Sequence, residues 1–200
     1  AVTKACAKEY IESELLHQAT IMGVDVARFG DDKSVITWRT GLKCYEPRVY
    51  AKVDNMTLVG YITKIYDELR PDALFIDAGR GEGVIDRLRQ LHYRPTEVNF
   101  GAKPADPHYA NKRTEMWDKM REWIDQGASL PNIHELKADL VAPTYDFNSN
   151  NQMRLEPKDK IKERLGRSPN IADSLALTFA MPVHSQHDIS HRQLNRKAIR

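Results

Sequence analysis

The chain is poor in cysteine and has no long apolar run. Its two cysteines, Cys6 and Cys44, fall in a helix-like and a strand-like stretch. They match no zinc or redox spacing, which leaves two free thiols. No apolar stretch approaches the roughly 18 residues of a membrane span, and no signal-peptide pattern opens the sequence. Serine never sits in a nucleophile-elbow motif, and His92, His108 and His134 lie in unrelated polar contexts, so a Ser-His-Asp hydrolase is excluded. The glycine-rich GRGEG at 79–83 is neither GxxxxGK[ST] nor GxGxxG, which argues against a nucleotide phosphate loop. No internal repeat and no base-reading zinc finger is present. The net charge of +2 is too small to demand or exclude nucleic acid.

What the chain does have is three aspartates in three unlike settings. Asp25 lies inside the apolar run IMGVDVA, Asp77 ends the run ALFIDAG, and Asp173 lies near the start of SPNIADSLALTFA. A carboxylate among Val, Ile and Phe costs several kcal/mol of desolvation unless something compensates it. Divalent cations held by oxygen ligands are the expected compensation.

The 200 residues, 41% apolar and 29% charged, suit one globular domain with a sizeable core. The opening KACAKEYIESELL reads as a helix, and residues 1–19 as a linker left from a preceding domain, as expected of a piece of a longer protein. The domain proper is expected over 20–183. TIMGVDVA is a strand, RFGDDK a turn built on Gly30, Asp31 and Asp32, and KSVITWRT and KCYEPRVYAKV two further strands of an antiparallel meander. Residues 56–70 switch to helical period, with Pro71 ending the helix. ALFIDA is a short, fully apolar strand, the mark of a buried parallel position. GRGEG then turns into a helix with Val84, Ile85, Leu88 and Leu91 inward, and PTEVNF is another strand.

A polar loop precedes a helix over 111–126, whose Met116, Trp117, Met120, Trp123 and Ile124 form a core stripe. A short helix follows over 134–141. TYDFNSNNQMRLE reads as a β-hairpin. KDKIKERLG is a charged helix stopped by Gly166, and Pro169 opens the last helix, which carries Asp173. From His184 hydrophobicity collapses, and 184–200 reads as a basic, disordered tail. The expected fold is α/β: a mixed sheet with helices on both faces. Its first strand beside its fourth would bring Asp25 next to Asp77, with the last helix laying Asp173 over them.

That layout resembles the ribonuclease-H-like nuclease superfamily. GVDVARFGDDKSVI, ALFIDAGRGEGVIDRL, YANKRTEMWDKMREWI and KDKIKERLGRSPNIADSLALT are similar to the nuclease domain of tailed-phage terminase large subunits of the headful-packaging type, over about residues 20–182. The resemblance implies a preceding packaging ATPase and metal-binding acids at Asp25, Asp77 and Asp173. Asp77 is shorter than the Glu found there in several relatives. It also implies two Mg²⁺ or Mn²⁺ ions and a lysine near the scissile phosphate, for which Lys158 is the choice. The implied task is cutting concatemeric viral DNA at the start and end of packaging, in the host cytoplasm. The implied partners are double-stranded viral DNA, the terminase small subunit and the portal protein of the procapsid.

Arg80, at the glycine turn, is a candidate phosphate contact. Lys112 and Arg113 begin a helix, where the dipole disfavours cations, and DNA contact would explain them. Asp31, Asp32 and Asp146 read as turn and surface acids rather than ligands. Two rival readings are a Holliday-junction-resolvase or transposase-like nuclease, and a docking module of the packaging motor with vestigial acids.

Overall fold

The computed structural model describes residues 1–27 and 33–186. The turn with Gly30, Asp31 and Asp32, and the tail beyond 186, lie outside the described residues. In chain order the elements are α1 (Val2–Ala5), α2 (Glu12–Leu15), β1 (Thr20–Asp25), β2 (Lys33–Thr40), β3 (Lys43–Cys44), β4 (Arg48–Ala51), α3 (Asn55–Leu69), β5 (Ala73–Asp77) and α4 (Ala78–Gln90). Then follow β6 (Thr96–Val98), α5 (Lys112–Asp125), α6 (His134–Val141), β7 (Tyr145–Phe147), β8 (Met153–Leu155), α7 (Lys158–Leu165) and α8 (Asn170–Leu177).

A six-stranded sheet runs β3-β2-β1-β5-β6, with β4 also paired to β2. β1 is antiparallel to β2, Asp25 opposite Val35. It is parallel to β5, Val24 opposite Ile76. Alternation along the buried strands divides the core between the two faces of the sheet. Ile21 and Phe75 join one cluster with Met116, Trp123, Leu136 and Leu175, from α5, α6 and α8. Met22, Val24, Leu74 and Ile76 join another with Leu58, Ile62, Val84 and Leu88, from α3 and α4. Helices therefore cover both faces, as the patterning predicts. β7 and β8 form the expected separate hairpin.

Several local expectations change. KCYEPRVYAKV is not one strand: it divides around Pro47 into β3 and β4, both paired to β2. Proline has no N–H for the ladder. GRGEG is not a turn before a helix but lies inside α4, where the Gly79 N–H donates to the N-cap Asp77. Gly81 packs so close to β5 that a Cβ there would come within 2.9 Å of Ile76 Cγ2. Leu91 is 40% exposed at the α4 C-cap rather than inward, and Leu88 closes that core face.

The opening segment is two short helices rather than one. Its carbonyls are used by the core instead: Leu130 N–H donates to Ala5 O, Ser129 Oγ to Lys8 O and Lys43 Nζ to Tyr10 O. At the other end, Ser185 is buried and Gln186 N–H donates to Asp72 Oδ1 at 2.7 Å, so packing continues a few residues past His184. Among the described residues, no helix is long and apolar enough to cross a membrane.

Candidate active site

β1 and β5 are short apolar runs that each end in an acid. Their parallel register brings those ends level, so Asp25 and Asp77 stand at the carboxyl ends of neighbouring strands. Asp25 is 3% exposed and Asp77 8%. Asp173, in the first turn of α8, is fully buried. It reaches the sheet because α8 lies directly on the β1 backbone at Gly23, with Thr37 and Ser174 hydroxyls bonded at 2.5 Å beside it.

The Asp173 carboxylate is held from three sides. Its Oδ1 accepts from Trp117 Nε1 at 2.9 Å and lies 3.5 Å from Arg113 Nε. Its Oδ2 lies 2.7 Å from Lys158 Nζ, which is also 3.8 Å from Asp25 Oδ1. Asp77 Oδ1 accepts from Gly79 N–H at 3.0 Å, so this acid also caps α4.

Electrostatics separates these acids. Burial raises Asp25 above the ordinary carboxylate range; Lys158 opposes this, while the Asp173 and Asp77 charges add to it. Burial likewise raises Asp77, against the Gly79 hydrogen bond. Burial would also raise Asp173, but Lys158 and Arg113 outweigh it and hold this carboxyl low. For Lys158, burial disfavours the ammonium, yet Asp173 and Asp25 keep it charged well above its usual range.

Cationic compensation thus reaches Asp173 and only partly reaches Asp25 and Asp77. Among the described residues, no three His, Cys, Asp or Glu side chains converge closely enough to hold an ion in this arrangement. The Lys158 ammonium lies within reach of two of the acids instead. The chemistry of the donor set still suits a hard cation. All three groups are carboxylates, two are under-compensated, and Asp173 Oδ2 is buried without a hydrogen bond of proper geometry.

The sequence-predicted basic residues divide. Arg80 is exposed on the first turn of α4, and its charge is felt at both Asp25 and Asp77. Lys112 turns to Glu115, Nζ to Oε2 2.9 Å. Burial works against the Glu115 carboxylate, but hydrogen bonds from Lys119 and Lys112 hold it down at about 2. Arg113 points inward at 8% exposure, toward Asp173, with Nη1 donating to Glu156 O at 2.9 Å. Internal acids, not an outward face, account for both cations at this helix start. Asp146 pairs with Arg154 on the exposed hairpin.

Sequence reasoning missed the second role of Trp117, whose core position is as expected but whose indole N–H holds Asp173. A buried indole needs a partner, which was the available signal. It also missed Asp139, fully buried on the Leu136 face of α6, where an acid on an apolar stripe should have drawn notice.

No family model matches the chain, and no curated protein matches it. Solved structures do. The nuclease domain of the large terminase subunit gp2 of bacterial virus Sf6 is 20% identical, with a TM-score of 0.71 over 82% of this chain and 89% of that one. A mutant of that domain with manganese gives 19%, 0.67, and the same coverage. The large terminase nuclease from thermophilic phage G20c with bound magnesium gives 13% and 0.61 over 82% of each chain. The mixed sheet, its topology and its helices on both faces are therefore the ribonuclease-H-like fold of the phage large-terminase nuclease domains.

Proposed function

We propose that this chain is the nuclease domain of a tailed-phage terminase large subunit, a metal-dependent endonuclease acting on double-stranded viral DNA during packaging. The observation that carries this reading is the meeting of Asp25, Asp77 and Asp173 around one lysine at the carboxyl edge of the sheet. Two divalent cations, Mg²⁺ or Mn²⁺, would be held by the three aspartates; their contribution is to activate water and stabilise the leaving 3′ oxygen. Manganese and magnesium in the Sf6 and G20c structures support that choice of metal.

The remaining work falls to the chain itself. Trp117 and Arg113 orient Asp173, and Asp77 is fixed by the Gly79 N–H. Lys158 leaves its acid partners for the scissile phosphate. Arg80, exposed beside Asp25 and Asp77, steers the DNA backbone to the acids. Among the described residues no helix stands out from the fold to read base edges, and sequence-tolerant cutting is the expectation. The cut would fall on concatemeric DNA at the start and end of packaging, with the terminase small subunit and the procapsid portal as partners.

The direct test is supercoiled plasmid incubated with Mn²⁺ or with EDTA. Nicking and linearisation at many sites are expected with the metal and none in EDTA. Equal cutting in EDTA would remove the metal reading, and preference for branched over linear DNA would favour a resolvase.

Lys158 and Lys160 provide a sharper comparison. Lys158 is the first residue of α7, three-quarters buried and aimed at the acids, whereas Lys160 is exposed one half-turn on. Lys158→Ala is expected to slow cleavage by about 10²-fold, in the range for loss of one preorganised charge, with Lys160→Ala near wild type. Metal-free Lys158→Ala should also be less stable, by about 3 kcal/mol, since it strips a buried carboxylate of its partner. Equal rates in the two variants would return Lys158 to the solvated helix face.

A further inference from the structure

The first turn of α8 carries Asp173 but has no cap of its own. Its N-cap position is Pro169, which offers no side-chain acceptor. The first N–H groups of a helix need partners from outside the helix. Here they find one across the fold: Asp139 Oδ2, from α6, accepts from Ile171 N–H at 3.1 Å and from Ala172 N–H at 3.4 Å. The very next residue is Asp173.

Asp139 is itself fixed. It is fully buried, and its Oδ1 is paired with the Arg167 guanidinium. Arg167 also donates to Ser168 O at 3.2 Å and to Glu135 O at 3.3 Å, and lies 3.6 Å from the Glu135 carboxylate. Glu135 in turn lies 3.5 Å from Lys33, at the start of β2, whose Val35 stands opposite Asp25. One polar chain therefore links the α8 start to the strand that flanks Asp25.

We propose that Asp139 is a positioning residue of the metal site. It caps α8 from α6 and so sets where the Asp173 carboxylate stands, and Arg167 locks the cap. The role in metal binding rests on the nuclease reading above; the role in placing Asp173 does not. Groups that orient a ligand without touching the metal commonly change metal affinity by about 10–100-fold when lost.

Trp117 supplies a reporter, because its indole N–H is bonded to Asp173 Oδ1. The chain has three tryptophans, so a ¹⁵N-labelled, metal-free sample shows three indole signals, and Trp117→Phe identifies which is which. In Asp139→Asn and in Arg167→Gln the Trp117 signal is expected to shift while those of Trp38 and Trp123 stay. The Mn²⁺ concentration giving half-maximal thermal stabilisation should rise about 10–100-fold. At limiting Mn²⁺ the plasmid-cleavage rate of both variants should fall by a similar factor.

If Asp139→Asn does not fold, Arg167→Gln decides alone, since Arg167 is one-third exposed. A cap that only stabilises would lower the melting temperature but leave the Trp117 signal and the Mn²⁺ requirement unchanged, and that overturns the proposal. A shifted Trp117 signal in a chain whose wild type binds no Mn²⁺ would instead overturn the nuclease reading and, with it, any metal role for Asp139.

Discussion

Asp25→Asn is expected to abolish metal-dependent cleavage and, with metal absent, to raise the melting temperature at pH 8. The two effects share one cause. Asp25 is buried at the end of β1 beside Asp77 and Asp173, and its charge is compensated mainly by Lys158 at 3.8 Å, with a smaller contribution from Arg80. Burial is the largest influence on it and raises its pKa above the ordinary range of about 4. A carboxyl with a folded pKa above its unfolded one holds its proton longer when folded. Its ionisation therefore opposes folding, from about pH 4 upward, until the pH has passed the raised folded value.

Asparagine keeps the shape and removes the charge. The variant should match wild type near pH 4, gain on it as the pH rises, and hold a constant lead above the folded pKa. At this chain length each kcal/mol moves the melting temperature by about 2–4 °C. Lys158 pulls the other way, since the variant loses that attraction, but burial outweighs it. Melting curves in EDTA at pH 4.5, 6 and 8, with plasmid cleavage in Mn²⁺ alongside, make the test. Retained cleavage would take Asp25 out of the site, and identical melting at pH 8 would mean its charge is already compensated.

The residues that were easy to find in the sequence are those whose cost is local. Asp25 and Asp77 stand out because an acid in an unbroken apolar run is anomalous within a window of about seven residues, and a strand buried on both faces reads as such a run. Asp173 is less distinctive, since an acid in the first turn of a helix is already favoured by the dipole. The order of elements and the resemblance singled it out. What stayed hidden was set by partners distant in the chain. Arg113 looked like a surface cation because its partner Asp173 is sixty residues on. Lys112 could have been read locally, its acid being three residues away at Glu115. GRGEG looked like a turn because glycine disfavours helix, and the close approach to Ile76 overrode that preference.

Gly23→Ala is expected to unseat the active site without touching any acid. Gly23 lies in the middle of β1, opposite Thr37 on β2 and Phe75 on β5. α8 crosses it so closely that an added Cβ would stand 2.1 Å from the backbone oxygen of Ser174 and 3.2 Å from both Leu177 Cβ and Thr178 Cγ2. A backbone carbonyl cannot turn aside as a side chain can, and interior packing leaves no slack. The helix must lift, taking Asp173 away from Asp25 and Lys158 and straining the Thr37–Ser174 bond. Overpacking of this kind costs about 3 kcal/mol or more. At about 2–4 °C per kcal/mol, the melting temperature should fall by about 6–12 °C. Gly60→Ala is the matched control, because nothing lies within 4 Å of a Cβ there and the position is exposed on α3. Alanine at that helix position should stabilise by about 0.5–1 kcal/mol and leave cleavage unchanged. If Gly23→Ala melts and cuts like wild type, α8 does not rest on the β1 backbone, and Asp173 must reach the other acids by some other path.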